Sequence, residues 1–258
     1  DQFSLFGLRR NPHKLPEPVV ALQGDVCDVK SLVSGLDDRL FDYVVITLTP
    51  GQRTDSRYRE VYVEGTRNVL SVLRGNPRVL FVSSTSVYGQ HQGEWVNEQT
   101  QTLGDGFSGQ RLLEAEYLVL AGAFPATCIR FSGIYGPGRE RLLRQMREGT
   151  VDAQLAAQYS NRIHADDAAR VLAFLIDRWV QGHSPASCYV ASDTRPVQMG
   201  AVWQWLAESM AIPAPCVPDA WKSANPSGKR CDSTLLQKEG FLFQYPDFCA
   251  GYSALLAR

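Results

Sequence analysis

The sequence predicts an α/β protein, a doubly wound parallel sheet with a smaller C-terminal lobe, and three observations predict it. Short β-branched or aromatic runs alternate with longer segments of helical period, the pattern of strands and crossover helices. After Gly133 that alternation gives way to a turn-rich stretch, a basic run and a proline-studded final third. A chain of 258 residues can bury one full core with a smaller lobe grown from it.

The strands are expected, in order, at residues 3–8, 19–22, 43–48, 79–83, 127–131 and 188–191. Between them, 57–73, 109–121 and 166–179 read as helices. The first helix turns Val61, Val69, Leu70 and Leu73 to one side, and the second Leu112, Leu113, Ala115 and Leu118, so each can bury a face against a sheet.

Composition narrows the function. With 44% hydrophobic and 21% charged residues and a net charge of -1, the chain has no electrostatic support for a nucleic-acid partner. No apolar run reaches the roughly 20 residues a bilayer demands, and the first twenty residues lack signal-peptide order, so no membrane and a cytoplasmic location are expected. Cys27, Cys128, Cys188, Cys216, Cys231 and Cys249 are scattered, and His13, His91, His164 and His183 make no ligand spacing, which predicts neither zinc nor disulfides.

Chemistry concentrates in a few segments. A strand ending in Ser83-Ser84-Thr85 delivers hydroxyls to the carboxyl edge of a parallel sheet, where open α/β folds bind ligands; equally, such hydroxyls cap the turn that follows. Gly136-Pro137-Gly138 is a turn by backbone chemistry alone. Arg139, Arg141, Arg144 and Arg147 suit a phosphate or carboxylate, or simply a solvated helix face. Asn161-Arg162-Ile163-His164 precedes a helix that Asp166 or Asp167 can cap.

Taken in order, Gly24-Asp25-Val26, Val63-Glu64-Gly65-Thr66-Arg67-Asn68, Phe81-Val82-Ser83-Ser84-Thr85-Ser86-Val87-Tyr88-Gly89, Arg130 to Arg139 with its Tyr135-Gly136-Pro137-Gly138, and Asn161 to Asp167 resemble the signatures of the extended short-chain dehydrogenase/reductases, the group that includes nucleotide-sugar epimerases and dehydratases. The resemblance implies a Rossmann-type nucleotide domain over 1–132 plus 165–192 and a substrate lobe over 133–164 plus 193–258. It implies that Ser84 hydrogen-bonds the reacting oxygen. Cofactor contacts are implied at Arg9, Arg10, Asp25 and Val26, and at Thr49, Ser83, Ser132 and Ile134. Substrate contacts are implied at Thr85, Tyr88, Tyr135, Arg139, Asn161 and His164. A homodimer through the helices that begin at Arg57 and Gly109 is also implied.

Two departures stand against the resemblance. Where the family carries a Tyr-x-x-x-Lys pair, this chain has Phe107 and Arg111: a phenyl ring exchanges no proton, and a guanidinium differs from an ammonium in shape and reach. Tyr88, Tyr135 and His164 are the candidates for a replacement acid/base, and Tyr62 stands where a helical asparagine is expected. Secondly, the first strand and its glycine-rich turn are not found; the segment that starts at Phe3 looks like the second strand instead. A lost first strand would open a gap of two strand spacings, roughly 10 Å, in the sheet, so an N-terminal piece is expected to be absent from the sequence. Arg9-Arg10 sits where NAD-selective proteins place an acid, and paired guanidiniums favour the 2′-phosphate of NADP over NAD. Two functions remain open: an atypical epimerase, dehydratase or reductase acting on a small hydroxyl or carbonyl substrate, and a dinucleotide-binding regulator or scaffold that kept the fold without the chemistry.

Overall fold

The computed structural model describes residues 3–104, 106–215, 219–222 and 224–257; Cys216 lies outside them. Along the chain run β1 (Phe6–Arg9), β2 (Val20–Gln23), α1 (Val29–Leu36), β3 (Tyr43–Ile46) and α2 (Asp55–Tyr58), then a π-helical turn (Arg59–Glu64) continued by α3 (Gly65–Val72). There follow β4 (Arg78–Ser84), β5 (Gln92–Val96), α4 (Gly106–Leu120), β6 (Ala126–Phe131), β7 (Gly133–Tyr135) and α5 (Arg141–Glu148). The chain continues through β8 (Tyr159–Ser160), β9 (Arg162–His164), α6 (Ala165–Val180), β10 (Cys188–Ala191), β11 (Val197–Gln198) and α7 (Met199–Met210), and closes with β12 (Gly228–Cys231), α8 (Thr234–Lys238) and α9 (Phe248–Leu256). Every strand and helix expected from the sequence forms, with ends shifted by a few residues. Helix α1, capped by Asp28 through the amides of Lys30 and Ser31, was not anticipated.

Two compact units divide the chain: Asp1–Ser83 with Leu103–Cys128, and Ser84–Thr102 with Ile129–Arg258. In the first, β1 pairs in parallel with β2, Phe6 opposite Val20 through Arg9 opposite Gln23. Separately, β3 pairs in parallel with β4, Tyr43 opposite Arg78 through Ile46 opposite Phe81. Strand β3 is the terminal strand of its sheet, next to β4, and β1-β2 forms a sheet of its own. Strand β4 carries Val79, Leu80 and Phe81 fully buried, the continuous apolar run that a strand covered on both faces requires. Helix α1 lies so close to the end of β2 that Gly35 has no room for a side chain beside the Gln23 carbonyl.

The second unit packs its core from Tyr135, Leu143, Met146, Val202, Trp203, Leu206, Phe248, Tyr252 and Leu255, so that α5, α7 and α9 share one apolar interior. Short strands frame it: β5 beside β12, β7 beside β9, and β8 antiparallel to β11. Asp167, on α6, ties in the segment before α9. Its buried carboxylate accepts from the backbone amides of Gln244 (2.9 Å) and Tyr245 (2.8 Å) and pairs with Arg170. Asp167→Ala leaves two amides without an acceptor in a dry site, and should lower unfolding stability by about 3–5 kcal/mol; urea denaturation gives the value, and a loss below about 1 kcal/mol would show that the carboxylate braces nothing.

Candidate functional site

In the first unit, the carboxyl ends of β1 and β2 carry the expected nucleotide contacts. Arg9 and Arg10 leave β1 exposed, with no ion pair among the described residues. Asp25 forms the turn after β2: one carboxylate oxygen accepts the Cys27 amide (3.0 Å) and its carbonyl accepts from Asp28. Val26 is half-buried against Gly65, and its carbonyl accepts from Asn68 (2.9 Å). Thr49 follows β3 exposed. The Ser83 hydroxyl donates to the buried Glu116 carboxylate on α4 at 2.6 Å and so links strand to helix.

The same unit shows where Phe107 and Arg111 sit. Phe107, at the start of α4, packs edge-on against Tyr58 with ring centroids 5.2 Å apart, and Tyr58 packs in turn on Tyr62 at 5.4 Å. The wider π-helical turn beginning at Arg59 follows directly on Tyr58 and carries Tyr62; such turns recur at functional sites. Burial pushes the Tyr62 phenol up to about 12. Arg111 is not the free cation that the family's lysine would be. Its Nε and Nη2 form a two-pronged pair with Asp55 at 2.7 and 2.9 Å, and its Nη1 holds Glu114. The hydrogen bond from Arg111 keeps the Asp55 carboxyl below its ordinary value, and the same bond raises the guanidinium's own. This pair ties α2 to α4 beside the three rings.

In the second unit, Ser84 closes β4 with its Oγ accepting the Ser86 amide at 3.2 Å, so the hydroxyl caps the turn Thr85–Val87 and keeps its own proton to donate. Thr85 is buried and hydrogen-bonds Cys231. Tyr88 is fully buried, donates to the Asn97 carbonyl at 2.7 Å and accepts from Arg130 at 2.9 Å, and burial raises its phenol further from any physiological range. Asn161 is likewise committed, its amide donating to the Lys229 carbonyl (2.8 Å) and its oxygen accepting the Cys231 amide (2.7 Å), which docks β12. Buried His164 caps α6 by accepting the Asp166 amide on Nδ1 and stacks on Tyr245 at 3.9 Å, a bracing role.

Around the glycine-proline bend, Gly136 and Gly138 have φ of 146° and 73°, which explains both glycines. The Arg139 amide closes the bend on the Gly136 carbonyl, and its side chain is exposed. Ile134 is half-buried, while the Ser132 and Tyr135 hydroxyls are buried without a hydrogen-bond partner among the described residues. Tyr135 stacks on Tyr252 at 4.5 Å, and Gly251 leaves the space that its hydroxyl fills. The described residues hold no cluster of metal-binding side chains.

Three residues escaped the sequence reading. Tyr58 was hidden because nothing local says which helix will pack on Phe107. Glu116 was hidden in an ordinary helix face. Asp193, two residues past β10, is 2% exposed, and desolvation outweighs the Arg162 guanidinium to push its carboxyl up to about 8. The unfolded chain releases that proton near its ordinary value of 3.8 and the folded one only near 8, so between these values the folded state holds the extra proton. Stability contributed by Asp193 should therefore fall as pH rises from about 4 to about 8, with a slope of at most ~1.4 kcal/mol per pH unit. Asp193→Asn should flatten that decline in urea midpoints measured across the range, and an unchanged slope would mean the buried carboxyl is not the group responsible.

A model of the NAD dependent epimerase/dehydratase family matches residues 5–191. The solved structure of a protein from Methylobacillus flagellatus, provisionally described as a NAD-dependent epimerase/dehydratase, is 38% identical with a TM-score of 0.83, over 98% of this chain and 88% of that one. Protein YeeZ of Escherichia coli (strain K12) is 27% identical over 86% of this chain and 77% of its own length. MoeE5, solved with UDP-glucose and NAD, shares the fold at 23% identity and a TM-score of 0.74, over 96% of this chain and 87% of that one.

Proposed function

Because the chain belongs to the NAD dependent epimerase/dehydratase family, we propose that it binds a nicotinamide dinucleotide, NADP ahead of NAD, and works as an epimerase, dehydratase or reductase on a hydroxyl or carbonyl of a nucleotide-linked sugar. The family match across most of the chain carries the class of reaction. Two exposed guanidiniums at the carboxyl end of β1, without ion pairs among the described residues, carry the cofactor choice, since they suit a phosphate monoester better than a bare ribose. Asp25, with one carboxylate oxygen used by the turn and one left over, and Val26 beside it fit an adenosine at the end of β2.

When bound, the cofactor supplies hydride exchange at C4 of its nicotinamide. The chain's own part is to hold the reacting oxygen and move its proton. Ser84, its lone pair occupied by the Ser86 amide, retains a proton aimed by that bond and serves as the donor to the substrate oxygen. Within the first unit, taken by itself, the candidate for proton exchange is Tyr58, the phenol packed against Phe107 on the helix that Asp55 and Arg111 tie to α4. A dimer through α3 and α4 is supported by a groove that Arg67 of α3 lines with Leu113, Tyr117 and Leu118 of α4, between the polar side chains of Gln110 and Glu114, with Tyr117 72% exposed. A second reading, a dinucleotide-binding regulator, is favoured by Phe107 and by the engagement of Arg111 in ion pairs.

Titration calorimetry separates these points. Replacing Arg9 and Arg10 by alanine should weaken NADPH binding about tenfold or more and leave NADH within about twofold; equal losses for both nucleotides would remove the case for NADP. Tyr58→Phe should cut turnover about 10²–10⁴-fold with NADPH affinity unchanged, whereas an active Tyr58→Phe enzyme would clear the phenol of any part in catalysis. A wild-type chain that binds NADPH yet turns over no carbonyl or sugar-nucleotide substrate would favour the regulator.

A further inference from the structure

The second unit buries a positive charge that no carboxylate near it answers. Arg162, on β9, is 7% exposed and makes no ion pair among the described residues. Its Nη2 donates to the Met199 sulfur at 3.0 Å, a weak acceptor, and its Nη1 is buried without a hydrogen-bond partner among the described residues. A guanidinium does not shed its charge, so burial in this form is strongly unfavourable unless an opposite charge stands close. Two acids lie within electrostatic reach of this corner, and neither serves. Asp193 accepts the Arg195 amide at 3.4 Å, and the burial that keeps its carboxyl protonated near neutrality removes the charge that Arg162 needs. Asp247 is spent on the Ala250 amide and on Arg195.

Further donors gather beside it. Strand β7 pairs with β9 in parallel, Gly133 opposite Arg162 and Tyr135 opposite His164, so Arg162, His164 and Tyr135 project from one face of the pair. Tyr252 of α9 joins two of them: its ring stacks on Tyr135 at 4.5 Å, and its hydroxyl oxygen accepts from the Arg162 guanidinium. The Tyr135 hydroxyl, set against Gly251 of the same helix, is buried without a partner among the described residues. Trp203 stands one turn past Met199 on the same face of α7, and its indole N–H is a third buried donor without a partner among them. The surplus is of donors and of positive charge, and an anion satisfies both. We propose that this interior binds a small monovalent anion of the halide class, held by Arg162 Nη1 and the Tyr135 hydroxyl as a counter-ion between the β7–β9 pair and helices α7 and α9. A halide asks for few, undirected hydrogen bonds, which two donors in an aromatic surround supply. Phosphate or sulfate brings more charge and more acceptors than they can meet.

The anion site goes beyond the proposed activity and does not rest on it, because the readout is folding alone. Urea unfolding of the 258-residue chain is followed by tryptophan fluorescence at chloride concentrations from about 1 to about 200 mM, with gluconate, an anion too large for the site, holding the ionic strength. All five tryptophans lie in the second unit, so the signal reports its unfolding. An ion that binds only the folded state should lower the unfolding constant at least about tenfold across that range. Arg162→Met, an unbranched apolar replacement, should remove the dependence. Tyr135→Phe, which keeps the guanidinium, should need about tenfold more chloride for the same effect, and Asp193→Asn should match the wild type within about twofold. No chloride effect in the wild type overturns the proposal. So does an effect that Tyr135→Phe leaves untouched, which would put the ion on the exposed arginines of α5; this variant decides alone if Arg162→Met does not fold. A gain of about tenfold in chloride affinity in Asp193→Asn would also overturn it, since the carboxylate would then be the guanidinium's own partner.

Discussion

A strand must satisfy the polar groups on both of its edges, and this chain meets that demand unevenly. Strands β4 and β6 lie inside a four-stranded parallel sheet, and their residues are buried accordingly. Strands β1 and β3 are each paired on one side only. Arg9, Arg10 and Thr49 follow these two short strands, and rings bridge them, Phe6 to Phe41 and Phe3 to Tyr43.

Chemistry has been rearranged by a comparable substitution of partners. The phenyl ring of Phe107 holds a place where a phenol would exchange protons, and Arg111 is turned into a bolt between α2 and α4 by Asp55. In the second unit, Tyr88, Asn161, His164 and Asp167 all serve packing: their polar atoms meet backbone groups or buried partners, and the lobe is stiffened by hydrogen bonds that a ligand does not have to supply. Asp193 is the exception, a carboxyl that burial keeps protonated near neutrality.

Much of the architecture was legible because periodicity and strand composition are local signals. The runs at 79–83 and 127–131 announced buried strands, the hydrophobic stripes after Arg57 and Gly109 announced their helices, and Gly136-Pro137-Gly138 announced its bend. What could not be read was pairing across distance. Nothing near Ser83 says that its hydroxyl will meet Glu116, thirty-three residues on. Nothing near Tyr88 says that Arg130 and Asn97 will consume both of its hydrogen-bonding capacities. Motif position therefore names the elements that carry candidates, while the side chains left available depend on pairing across distance.

The central claim is that a family fold whose usual acid/base pair is replaced still moves a hydride with the help of a relocated phenol. Its most direct measurement is isotope transfer: the chain is incubated with NADPH deuterated at C4 and a panel of keto-sugar nucleotides, and products are read by mass spectrometry. The account predicts deuterium in at least one product, and loss of that label in the Tyr58→Phe chain. Saturating NADPH binding with no label in any product would contradict it.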